Sequence, residues 1–192
     1  MDFSTSTIQC WIKRNGNPSA TEFPLVFGKT QLLTAARFGV LTNGNATASY
    51  LSGGTSTVMT GAGPVANNVW HLLELSLSPS GGVFYIDGVN KASSANVPDA
   101  NQGGVLVIGA TTVFNFPFLG FVDEVSIWNT QLNTGNYTPP SAPWVGNEPG
   151  LMALYHFDGT SNDATLPADG QMASEAMGPH MEMEMLLRIK YA

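Results

Sequence analysis

Fourteen carboxylates, three histidines and one cysteine hold most of the titratable chemistry of this chain, against seven lysines and arginines. Glycoside hydrolysis needs two carboxyl groups flanking one sugar, so acidic pairs come first. Asp123 and Glu124 are adjacent in Gly120-Phe-Val-Asp-Glu-Val-Ser-Ile-Trp128, and on a strand adjacent side chains point to opposite faces. Glu74 stands alone, and Glu182 with Glu184 lie in a C-terminal tail without a surrounding pocket. His71, His156 and His180 follow no Ser/His/Asp ordering, and each has an immediate structural reading. The expectation is a chain without catalytic residues. For a cation, Asp158, Asn162 and Asp163 in Asp158-Gly-Thr-Ser-Asn-Asp163 can converge with backbone carbonyls as hard oxygen ligands; the same residues are ordinary turn material. For a sugar, which asks for an aromatic platform beside polar groups, the candidates are Phe114 and Phe116 in Thr111-Thr-Val-Phe-Asn-Phe-Pro-Phe118, together with Trp144. The alternative is that these rings plug the end of the core. Cys10 has no partner for a disulfide and reads as a small buried hydrophobe.

The elements that must position these residues are strands. From Val69 to Ser78, Leu73, Leu75 and Leu77 alternate with Glu74, Ser76 and Ser78, which predicts one apolar and one wet face. Ser80-Gly81-Gly82 and Asp87-Gly88 supply hairpin turns on either side of Val83–Ile86. The remaining candidates are Thr7–Lys13, Glu22–Gly28, Arg37–Thr42, Thr47–Ser52, Ser56–Thr60, Val89–Ser93, Val105–Ile108, Leu119–Trp128 and Leu151–Phe157, with turn formers such as Asn43-Gly44 and Gly53-Gly54 in the gaps. No segment has a clean helical period. Short strands and Gly-rich turns predict an all-β antiparallel sandwich. The Pro-rich run Thr138–Pro143 should cross the surface and deliver the chain to the closing strand.

At 192 residues the chain fits one sandwich domain, read as 1–163, with 164–192 as a linker and a C-terminal strand. In that tail positions 181, 183, 185, 187, 189 and 191 are all apolar, so period-2 logic makes it an extra strand for edge pairing or homo-oligomerisation. Gly178-Pro-His-Met181 alone also reads as a cleavage and cloning scar. Charged residues make up 11% of the chain, well under the usual quarter or so, so the surface is carried by hydroxyls and amides, as suits secreted and virion proteins. The net charge of −7 with scattered cations argues against a nucleic-acid groove. No apolar run reaches the roughly 18 residues of a membrane span. Met1-Asp-Phe-Ser does not open as an export leader, which favours a phage structural protein released by lysis over an excised fragment or unconventional secretion.

Trp70-His71 before a strand, the Tyr85-Ile-Asp-Gly88 hairpin, the Gly120–Trp128 strand and the closing phrase Asn147–Gly159 resemble the laminin-G-like, concanavalin A-like and pentraxin-related jelly rolls over roughly residues 6–163. The resemblance implies the jelly-roll sandwich and a usual place outside cells. It implies Trp70-His71 and Asp123-Glu124 as residues that hold the fold, with Trp128 in the core, and makes calcium the accessory expected at Asp158, Asn162 and Asp163, with no cofactor required. The related family 16 glucanases set their acids at alternate positions of one strand, a pattern absent here. Members normally open with a strand before the one at Thr7–Lys13, so an edge is expected to lie uncovered. The function expected is a non-catalytic module, extracellular or on a virion surface, that recognises a cell-surface glycan or protein. The alternative is a structural decoration or adaptor protein assembling with other subunits through its edges.

Overall fold

The computed structural model describes residues 4–16, 25–30, 36–60, 62–100, 105–109, 118–158 and 164–165. Among them are eleven strands and no helix. One sheet contains β1 (Ser6–Arg14), β6 (Trp70–Ser78), β7 (Gly81–Ile86), β8 (Val89–Ser94), β10 (Gly120–Trp128) and β11 (Leu151–Tyr155), in the order β11-β10-β1-β6-β7-β8. The other runs β5-β4-β3-β2-β9, from β5 (Thr55–Met59), β4 (Ala46–Ser52), β3 (Arg37–Val40), β2 (Leu25–Thr30) and β9 (Val105–Ile108). Every pairing between strands is antiparallel.

The period-2 pattern puts one row from each strand between the sheets. Ile8, Cys10 and Ile12 of β1, Leu73, Leu75 and Leu77 of β6, and Val125 and Ile127 of β10 meet Phe38, Val40, Ala48 and Tyr50 of the opposite sheet in one buried cluster. Phe38 and Phe84 bridge the layers with ring centroids 6.0 Å apart. The Asp87-Gly88 turn takes φ of 53° and 75°, the type I′ signature that its sequence predicts. The β11 strand stops two residues short of its expected end, and Phe157 turns away at φ 58° to stack on Tyr155. The first residues of the expected Glu22 strand, the C-terminal strand and the boundary at 163 lie outside the described residues.

The expected wet face is not wet. Thr7, Gln9, Glu74, Ser76, Ser78 and Ser126 point away from the inter-sheet core and are all buried. Residues 129–150, between β10 and β11, fold across that face as an irregular strap. Thr7 Oγ1 donates to the Thr130 carbonyl at 2.9 Å and accepts from the Leu132 amide at 3.0 Å. Farther along, the Tyr137 amide donates to the Gly88 carbonyl at 2.8 Å, and Asn136 Oδ1 accepts from the Asn90 amide at 2.8 Å. Trp128 is buried as expected, under the strap and outside the main cluster between the sheets, and meets Trp144 edge to face at 4.9 Å.

Candidate functional site

Where the strap stops covering the sheet, a cleft of about 330 Å³ opens, lined by Gln9, Trp11, Trp70, Leu72, Asp123, Glu124 and the strap residues Pro140–Trp144. Strand register explains its floor. Trp11 pairs with Leu72 on one side and Asp123 on the other, so the three stand in one cross-strand row, with Trp70 two residues from Leu72 on the same face.

The two carboxylates reach this cleft through an irregularity. Gln9 pairs with Ser126 and Trp11 with Asp123, so Glu124 and Val125 together oppose Cys10. This is a β-bulge, and Glu124 takes the left-handed φ of 49°. The extra residue shifts the pleat by one, so Asp123 and Glu124 both line the cleft instead of pointing to opposite faces. A bulky non-glycine residue in that region is strained.

Glu124 Oε1 lies 2.7 Å from His156 Nδ1, while its Oε2 is buried with no hydrogen-bond partner. Asp123 Oδ1 accepts from the Glu124 amide at 3.0 Å. Burial pushes both carboxyls above the usual carboxylate range. Asp158 adds to the rise at each, the Glu124 amide and His156 oppose it at Asp123, and His156 opposes it at Glu124. At Glu124 a left-handed φ and a buried acceptor without a hydrogen bond coincide, a local departure of the kind functional positions tend to carry.

Behind the cleft, the polar residues are committed to one another. Glu74 accepts from Gln9 Nε2 (2.6 Å), Ser76 Oγ (2.8 Å), Tyr137 Oη (2.6 Å) and Asn133 Nδ2 (3.0 and 3.2 Å). Gln9 Oε1 in turn accepts from Trp144 Nε1 at 3.3 Å and Ser126 Oγ at 3.4 Å. Burial next to Glu74 pushes the Tyr137 hydroxyl far above its ordinary value. A fully buried carboxylate needs such donors, because leaving it unpaired costs several kcal/mol. Glu74 is therefore the anchor of the strap.

His71 is structural in the same way. Its Nε2 accepts from the Ala66 amide at 3.2 Å, which leaves Nδ1 to donate to Asp87 Oδ2 at 2.7 Å, and Asp87 Oδ1 accepts from the Leu72 amide at 2.9 Å. Asp123 differs from expectation in holding only its neighbour's amide and facing the cleft.

Of the residues singled out from sequence, Trp144 lies in the cleft wall, half-buried and with its indole N–H engaged. Phe114, Phe116, Asn162 and Asp163 lie outside the described residues, and Asp158 is exposed after β11. Among the described residues no group of three His, Cys, Asp or Glu is placed to hold a metal ion. Trp11 and Trp70 were not singled out as binding residues. Their signal is a large aromatic at an outward position of an alternating strand, in Ile8-Gln-Cys-Trp-Ile12 and Trp70-His-Leu-Leu.

A two-layer antiparallel jelly roll with a lined cleft on one outer face defines a lectin-like sandwich. The family model of the concanavalin A-like lectin/glucanases superfamily matches residues 1–136, and the chain belongs to that family. No curated protein matches the sequence. Among solved structures, a Bacteroides ovatus protein provisionally described as carbohydrate-binding is similar at TM-score 0.62 and 18% identity, over 83% of this chain and 47% of that one. Domain 4 of an extracellular family GH43 arabinanase from Geobacillus stearothermophilus, solved with arabinotriose, is similar at TM-score 0.53 and 21% identity, over 68% of this chain and 63% of that one. A heptameric pentraxin from Limulus polyphemus follows at TM-score 0.50 and 15% identity, over 68% of this chain and 66% of that one. The chain thus spans about half of the first structure and under two thirds of the second.

Proposed function

We propose that this chain is a non-catalytic carbohydrate-binding module whose site is the cleft between Trp11, Trp70, Trp144 and the Asp123-Glu124 bulge. The observation that carries the reading is the convergence of three indoles and two carboxylates in one concavity. Aromatic faces cover the apolar face of a pyranose, and carboxylates accept from its hydroxyls. The arabinotriose-bound domain and the Bacteroides ovatus protein, on the same fold, lend support. Phe114 and Phe116 belong to the proposal as further aromatic contacts, and Asp158, Asn162 and Asp163 as a calcium site. Display on an extracellular or virion surface, beside other subunits, suits a chain of 11% charged residues.

The test is a glycan array, run with calcium and with chelator, on the wild-type chain and on Trp70→Ala. Trp70 is 41% exposed, so its truncation leaves the fold intact while removing an aromatic contact. The expected result is binding to a defined glycan class, weakened at least about tenfold by the substitution. Silence toward every glycan, or binding indifferent to Trp70, would overturn the proposal.

A further inference from the structure

We infer that the cleft selects glycans built from amino sugars with free, protonated amines over their neutral and acidic counterparts. The inference rests on the carbohydrate reading and narrows it. Two separate features of the wall point to a cation. The lining residues include Asp123 and Glu124 and no lysine or arginine. They also include Trp11, Trp70 and Trp144, and an indole face attracts a cation through its quadrupole, more strongly once water is excluded.

Hydrogen-bonding capacity agrees. A neutral sugar is usually held by groups that both donate and accept, and in this wall the Ser141 hydroxyl is one such group while the amide is committed elsewhere. Gln9 Nε2 donates to Glu74, and Gln9 Oε1 already accepts from Trp144 and Ser126. The Trp144 indole N–H is spent on the same amide. The charged group left to meet a ligand directly is the Asp123 carboxylate, with the negative charge of Glu124 behind it, and an ammonium brings three donors. The basic groups nearby do not reverse the sign. His156 is held by Glu124, and Lys13 lies in register between Trp70 and Phe121, outside the lining. Asp158 acts electrostatically on both cleft carboxyls and adds negative charge. Uronate and sialate chains would meet these carboxylates without a counter-charge.

The test compares the glucosamine hexamer, cellohexaose and a galacturonate hexamer by calorimetry on the intact chain, in buffer where the amines are protonated. The first two differ by an amine in place of a hydroxyl. The expected result is at least tenfold tighter binding of the glucosamine chain than of cellohexaose, with no binding of the galacturonate chain. That ratio is expected to fall toward unity in Asp123→Asn, which keeps the oxygen that accepts from the Glu124 amide, and in Glu124→Gln. Equal affinity for the amino and neutral chains, or a ratio that survives both substitutions, would overturn the inference and leave the carbohydrate reading standing. Silence toward all three and toward the glycan array would remove both.

Discussion

Glu74 shows how one residue can be misjudged when its surroundings are out of view. Alternation places it on a solvent face, yet it is fully buried and ringed by Gln9, Ser76, Asn133 and Tyr137. Glu74→Ala would leave four donors unsatisfied, so a loss of about 3 kcal/mol or more is expected. Thermal unfolding checks it, as a fall in midpoint on the order of 10 °C. At Asp123 and Glu124 the expected dependence is on pH. Both carboxyls titrate above the ordinary range near roughly 4, so their charge is complete above the raised pKa and disappears as pH falls through it. The charged groups acting on them are His156 and Asp158 beyond β11, with Lys13 one row away on the same face of β1 and the Cys10 thiol on the opposite, core side of the sheet. Affinity for the glucosamine hexamer is expected to fall on acidification, starting at a higher pH than a free carboxylate would give, and to fall further than the affinity for cellohexaose. Calorimetry across a pH series decides it. The stability sign is opposite: a raised carboxyl favours the fold while protonated, and that contribution is lost as pH rises through the folded pKa. Asp123→Asn is thus expected to raise the unfolding midpoint at neutral pH while weakening the amino-glycan preference.

Among the elements, strands and strap differ in how far sequence reveals them. Within the described residues the expected strands from Thr7 to Phe157 are present, because alternation and turn chemistry are local and agree with the fold. The strap has no period to read, and Thr138–Pro143 resembles a surface connection. That it covers a sheet face follows from contacts more than fifty residues apart in sequence, Asn133 and Tyr137 to Glu74 and Trp144 to Gln9. The bulge was equally hidden, since Glu124 at positive φ carries no glycine or asparagine to mark it. One glycine ties hairpin and strap together. Gly88 has φ 75°, and a Cβ there would collide with the Tyr137 carbonyl. Gly88→Ala is expected to lift the strap from the β7–β8 turn, destabilising the fold and weakening glycan binding. Hydrogen exchange checks this as faster exchange at the Tyr137 and Asn90 amides, with the β3–β4 pairing unchanged.

At the scale of the whole molecule, the sandwich and its family were legible from Trp70-His71, Tyr85–Gly88 and Gly120–Trp128. The cleft was legible only in part, through Trp144. Its other walls depend on which outward-facing residues the strap leaves open, a property of the assembled fold. The central claim is that this opening, and not another surface, receives the glycan. The four tryptophans provide their own test. Three line the cleft, and Trp128 lies buried beside it with its N–H on Ser126 Oγ at 3.0 Å. The decisive measurement is therefore an NMR titration of the indole N–H signals with the glucosamine hexamer and, separately, with cellohexaose. Binding in the cleft predicts that Trp11 and Trp70 move furthest, Trp144 follows and Trp128 moves least; saturable binding of either chain with all four indoles unmoved, or no binding of either, would contradict it.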